Sequence, residues 1–304
     1  MKNSQSFYFS SFDGTTLYVK HWYSIKSQKK GLILIAHGLG ETADYYDDFC
    51  TEAISYGFDV VIPEARGHGK TAGENGGNPG KDSIRKMAED LKVLLQAIKK
   101  DNPYDKVVLL GHSLGSLVAQ LFALKYSEEL IGLVLTGIPY LDNINELLDI
   151  VNSEIESRGL KAPCTDAFQT LFSDINKPFE PVKTDLDWIT SDENMVKESL
   201  ALPYTFVLFS NEFYRDFFKS VNETNETANW NNISSSCSIL LLSGGMDVIS
   251  QYGRSIKERY TQLTAIGIKN LRYKIYENLR HSILREVSRQ EVIKDILEWI
   301  RLRI

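Results

Sequence analysis

At 304 residues, 43% hydrophobic and 24% charged, the chain has the composition of a globular protein long enough for one large α/β domain plus an insertion. A net charge of −6 argues against a nucleic-acid partner, which would need Lys and Arg clustered on one face, and against polyanionic substrates. Residues Met1 to Ser11 lack the pattern of a signal peptide, no apolar run approaches the length of a membrane span, and the three widely spaced cysteines (Cys50, Cys164, Cys237) suit reduced thiols, so a cytoplasmic location is expected.

In chain order, the Asp13-Gly14 turn signal followed by Leu17, Val19 and His21 predicts an antiparallel edge hairpin. Continuous apolar runs at 31–36, 59–63, 107–110, 133–135 and 239–242 read as strands buried on both faces, with a further strand at 271–277. Helical patterns lie between them, at 45–56, 82–100, 114–126 and 252–266. A last one at 286–303 has Val287, Val292, Ile296, Trp299 and Ile300 on its apolar face. This alternation predicts an α/β fold, a mostly parallel sheet covered by helices on both faces, with ligand sites at the carboxyl ends of its strands. The alternation stops between Tyr140 and Cys237. The expectation is a core formed by residues 1–140 and 237–304 and an inserted helical cap, or lid, at 141–236, in which Leu202, Phe206, Phe209, Phe213 and Phe217 recur at helical spacing and a polar loop follows at 222–236.

The chemistry centres on Gly111-His112-Ser113-Leu114-Gly115, where a strand passes directly into a helix. Glycines on either side of the serine permit the sharp turn that lifts Ser113 above the sheet. A serine hydroxyl needs a base, and the base needs a carboxylate to fix its tautomer. Of the five histidines, His21 falls in the edge hairpin, His37 and His68 in glycine-rich turns, and His112 beside the serine but facing away; His281, in a loop before the last helix, is the candidate base. Asp247, just past the strand at 239–242, is the candidate acid, with a helix cap as its alternative use. The backbone N–H groups of Leu39 and Leu114 are the candidate oxyanion hole. Gly69-Lys70-Thr71 does not complete a phosphate-binding loop, and nothing has metal-ligand spacing, so neither a metal nor any other cofactor is expected.

With these residues in place, the chain resembles the α/β-hydrolases of the monoacylglycerol lipase and lysophospholipase group, which is also filed with serine aminopeptidases. The resemblance rests on His37-Gly38-Leu39-Gly40-Glu41, Glu64 to Thr71, Gly111 to Ser116 and Gly245-Met246-Asp247, in that order. Asp187-Trp188-Ile189-Thr190-Ser191-Asp192 and Tyr276 to Leu284 are similar to bacterial members in particular. The group often has His where this chain has Thr42 and Glu where it has Ser282; the resemblance also implies a supporting role beneath the site for Arg66 to Gly69.

The resemblance implies a serine esterase acting through an acyl-enzyme on monoacylglycerol-like or lysophospholipid-like esters. A peptidase, an acyltransferase or a thioesterase are the alternatives on the same triad, and a non-catalytic binder is a further one. The cap is expected to set substrate selectivity, with Phe206, Phe209 and Phe213 as substrate-binding residues and some of that aromatic stripe packing internally. Transient contact between the cap and a membrane surface is left open.

Overall fold

Eight strands form one sheet: β1 Ser4–Ser10, β2 Thr16–Trp22, β3 Gly31–Ala36, β4 Phe58–Pro63, β5 Val107–His112, β6 Gly132–Thr136, β7 Ser238–Gly244 and β8 Leu271–Tyr276. They lie in the order β1-β2-β4-β3-β5-β6-β7-β8. The hairpin β1-β2 and the β2-β4 pairing are antiparallel, and all other pairings are parallel. The computed structural model describes residues 3–26, 29–202, 205 and 207–303. The helices are α1 Asp47–Tyr56, α2 Gly69–Ala72, α3 Ser83–Asp101, α4 Leu114–Tyr126, α5 Ile144–Arg158, α6 Asp166–Phe172, α7 Glu193–Ala201, α8 Asn211–Asn225, α9 Arg254–Ala265 and α10 Arg289–Arg301.

The central strands β3 to β7 are buried along their whole length and largely apolar, because both of their faces are covered. In β3, Leu32, Leu34 and Ala36 join the layer that includes α3, α4 and α9, whereas Ile33 and Ile35 join the layer that includes α1 and α10. This is the expected α/β architecture. From β3 the chain first moves outward to β4 and then crosses back to lay β5 on the other side of β3. That reversal opens a crevice at the carboxyl ends of β3 and β5, where the Leu39 turn and Ser113 emerge.

Between β6 and β7 lie α5 to α8, and no strand of the sheet occurs among the described residues of that stretch. Leu147 and Val151 of α5 and Phe213, Tyr214, Phe218 and Val221 of α8 are buried in the same apolar cluster as α3 and α4, so this stretch is packed directly on the sheet's own helices.

Three expectations need correction. The aromatic stripe is not one helical face: α7 ends at Ala201 and α8 begins at Asn211, so Leu202 and Phe209 belong to neither helix, and Phe206 lies outside the described residues. The chemistry of the break is in the sequence. Pro203 has no N–H to extend α7, and the Ser210 side chain starts α8 afresh by accepting the Phe213 N–H at 3.3 Å. The polar stretch 222–236 is helical to Asn225 and then turns through a 3-10 segment, anchored by the buried Trp230, whose indole N–H donates to the Thr224 carbonyl at 2.9 Å. Val287 precedes the last helix and is 69% exposed.

Candidate active site

The turn at Ser113 is strained, with φ +53° and ψ −119°, a region that L-residues rarely occupy. It is held by the Ser113 N–H, which donates to the Thr136 carbonyl at the end of β6 at 2.9 Å. Gly115 is required by close approach: a methyl group there would sit 1.9 Å from the Ala36 carbonyl oxygen and 2.7 Å from that of His37. The first turn of α4 therefore abuts the end of β3 and the start of the turn that carries Leu39.

That turn has its own hydrogen bonds. Gly38 N–H donates to Glu41 Oε2 at 2.7 Å and Glu41 N–H to the Gly38 carbonyl at 3.2 Å, so the turn closes around Leu39 without using its amide. His37 accepts the Ala65 N–H on Nε2 at 2.9 Å and therefore carries its proton on Nδ1, which lies 2.9 Å from the Gly38 carbonyl. Its role is structural.

Asp247 follows β7 and is fully buried. Its Oδ1 lies 2.9 Å from Nδ1 of His281 and accepts the Ile249 N–H, also at 2.9 Å. Because α9 begins only at Arg254, Asp247 is not that helix's cap. Burial works to raise the Asp247 pKa, but attraction to His281 and hydrogen bonds from His281 and Ser250 outweigh it and hold the carboxyl below its ordinary value. The two loops can meet because β7 ends in glycine: a methyl group on Gly244 would lie 2.1 Å from the Leu279 carbonyl oxygen.

His281 lies against Gly137, one residue past the Thr136 carbonyl that binds Ser113. A methyl group on Gly137 would be 2.8 Å from His281 Cε1 and 3.0 Å from His112 Cε1. The structure thus gathers Ser113, His281 and Asp247 around the ends of β5, β6 and β7. Nε2 of His281 is buried and has no hydrogen-bond partner among the described residues. Contacts of this kind often close only when substrate binds.

Further side chains complete the surroundings; of these, Trp188, Phe172 and Phe168 are ones that sequence reasoning does not single out individually. His112 sits 2.9 Å from Thr136 Oγ1 through Nδ1 and 3.1 Å from Ser282 Oγ through Nε2, with its ring 4.8 Å from that of His281. Burial pushes the His112 pKa down to about 4, against the pull of Glu41 3.7 Å away, with nearby His281 adding to the depression. Trp188 places its ring 5.1 Å from the His281 ring, and a row of aromatic rings continues through Phe172 (6.0 Å) to Phe168 (4.7 Å further), which is 37% exposed. Trp188 lies in the sequence motif 187–192, but its nearness to His281 is a product of tertiary contact. Phe209 and Phe213, by contrast, are buried 4.4 Å apart, with Phe209 4.6 Å from the His68 ring. Arg66 is buried, its guanidinium bidentate to both Asp90 and Asp13 at 2.6–2.8 Å.

Comparison with known proteins now decides the family: residues 27–288 match the family described as serine aminopeptidase, S33. The chain belongs to this family of α/β-hydrolases. Within it, the chain is 20% identical to a monoacylglycerol lipase of Mycolicibacterium smegmatis over 271 residues, covering 89% of this chain and 88% of that protein. It is 33% identical to a monoglyceride lipase homolog of monkeypox virus over 113 residues; that match covers 37% of this chain and only 40% of the relative. Its structure is similar to that of a thermostable carboxyl esterase from Bacillus coagulans, solved in complex with glycerol, with a TM-score of 0.91, 26% identity and 99% of each chain covered. These similarities place this S33 member in the monoacylglycerol lipase and lysophospholipase group, among hydrolytic enzymes. Among its described residues, no helix is long and apolar enough to cross a membrane.

Proposed function

We propose that this α/β-hydrolase is a serine carboxylic-ester hydrolase that works through an acyl-enzyme on monoacylglycerol-like or lysophospholipid-like esters. The observation that carries the reading is the buried 2.9 Å contact between His281 Nδ1 and Asp247 Oδ1, set beside a serine held at positive φ. With Nδ1 engaged by the carboxylate, Nε2 is the nitrogen left to act as base. In this reading His281 takes the Ser113 proton as Oγ attacks the ester carbonyl. The Leu39 and Leu114 amides hold the oxyanion, and His281 returns the proton to the departing alcohol. Water, activated by the same ring, then releases the acid and restores Ser113.

Residues 141–236 serve as a cap in this proposal. The acyl chain lies along Trp188, Phe172 and Phe168, which run outward from His281, while Phe209 and Phe213 support the cap from within its core. The three buried, unpaired cysteines fit the reducing cytoplasm. The test is fluorophosphonate labelling of Ser113 followed by turnover of a p-nitrophenyl ester series against aminoacyl aryl-amides. Ester turnover blocked by the label supports the proposal. Faster amide turnover would make the enzyme a peptidase, and absence of both labelling and turnover would make it a binder.

A further inference from the structure

The segment Asp187–Asp192 is strapped across the loop that carries His281. The His281 N–H donates to the Trp188 carbonyl at 3.4 Å, and the Ser282 N–H donates to that of Ile189 at 2.8 Å. The Thr190 hydroxyl donates to the Arg285 carbonyl at 2.9 Å, and the Arg280 guanidinium donates to the Asp187 carbonyl. At the centre is Glu286, a carboxylate with no solvent exposure. It accepts the Ser191 N–H at 3.1 and 3.2 Å, the Ser191 hydroxyl, the Arg280 N–H at 2.8 Å and the Val287 N–H at 3.3 Å. One carboxylate therefore joins the strap, the residue immediately before His281 and its own loop. Charge-assisted hydrogen bonds from several donors are the strong kind, and they fix backbone rather than a mobile side chain.

We infer that Glu286 is a positioning residue for His281, holding the His281 backbone in place through the Arg280 N–H and the Ser191 strap so that the ring spans Asp247 and Ser113. The inference rests on the reading of His281 as the base. Asp247 fixes the ring from the Nδ1 side only, and the ring's distance from Ser113 depends on where the backbone at 280–282 is pinned. The Gly244 turn pins that loop from the sheet side, and Glu286 pins it from the cap side.

The test is Glu286→Gln, with kcat and KM measured per active site titrated by fluorophosphonate and with His281→Ala as the reference. An amide can neither accept from all of these donors nor carry the charge, so kcat per site should fall about 10- to 100-fold, the scale expected of a small misplacement of a catalytic group, with KM within about twofold. Ser191→Ala, which deletes only one contact, should lower kcat by a smaller factor in the same direction, and it carries the test by itself if Glu286→Gln does not fold. Normal kcat per titrated site in Glu286→Gln, whatever its melting temperature, would overturn the inference, as would normal kcat in Ser191→Ala where only that variant folds. Full activity in His281→Ala would instead overturn the assignment of the base.

Discussion

His281 and Asp247 meet 2.9 Å apart, with the aspartate inaccessible to solvent and the histidine 3% exposed. A buried imidazole so engaged is held in one tautomer, and its free nitrogen is directed by the fold rather than by solvent. The first prediction follows from treating Ser113, His281 and Asp247 as a unit. Ser113→Ala and His281→Ala should each lower kcat by roughly a millionfold with the fold intact. Asp247→Asn, which disturbs the tautomer, should cost roughly ten-thousandfold. Ester turnover with circular dichroism on the same samples checks this; wild-type turnover in Asp247→Asn would remove Asp247 from the triad.

The aromatic row and the buried aromatic pair make opposite predictions. Trp188→Ala or Phe172→Ala should erase the preference for long acyl chains, since each buried methylene contributes about 0.8 kcal/mol, while leaving acetate-ester turnover near wild type. Phe209→Ala and Phe213→Ala should instead cost about 3–5 kcal/mol of stability with the chain-length profile unchanged. Measuring kcat/KM against acyl length and urea unfolding on all four variants separates the two. A profile that shifts only in the Phe209 or Phe213 variants would exchange the roles.

Acid should destabilise the protein through its buried histidines. Burial holds His112 down to about 4 and His68 down to about 3, with His37 adding to the effect on His68. As pH falls, the unfolded chain takes up these protons first, so the stabilising contribution is complete above about pH 6.5 and is lost on descent toward pH 4 for His112 and pH 3 for His68, on the order of 3 kcal/mol for His112 and about 5 kcal/mol for His68. Urea midpoints between pH 7 and pH 4.5 should fall less steeply in His112→Gln, which cannot protonate, than in wild type. Identical slopes would show that His112 is not held neutral.

Arg66 is 4% exposed and satisfies two aspartates at once. Removing the cation strands Asp90, which is also buried, so Arg66→Ala should cost about 3–5 kcal/mol, as for other broken buried pairs. Turnover per titrated site should stay close to wild type, because the Arg66 guanidinium bonds Asp13, Thr15 and Asp90 rather than Ser113, His281 or Asp247. A large drop in kcat per site without loss of stability would assign Arg66 to the chemistry.

Much of this molecule was legible before its structure. Local pattern carries the alternation of strand and helix, because burial on both faces of a sheet demands continuous apolar runs and covering helices demand a stripe. The turn at Ser113 is written in its flanking glycines, since only residues without Cβ fit where Gly115 meets the Ala36 carbonyl. Asp247 and His281 were readable as loop residues following strands.

The cap was decided elsewhere. The spacing of Leu202, Phe206, Phe209, Phe213 and Phe217 suggests one helix, but the chain uses that period only from Phe213 to Phe217, because Ser210 restarts the helix and Phe209 sits on His68. Trp188 beside His281 and Glu286 beneath Ser191 are contacts across 93 and 95 residues, respectively, between segments whose local sequence contains no trace of the partner. The sequence determined which residues could do chemistry, since that depends on residue type and immediate neighbours. The tertiary structure decided what holds and surrounds them, since a buried hydrogen bond or ring contact depends on where distant backbone is packed.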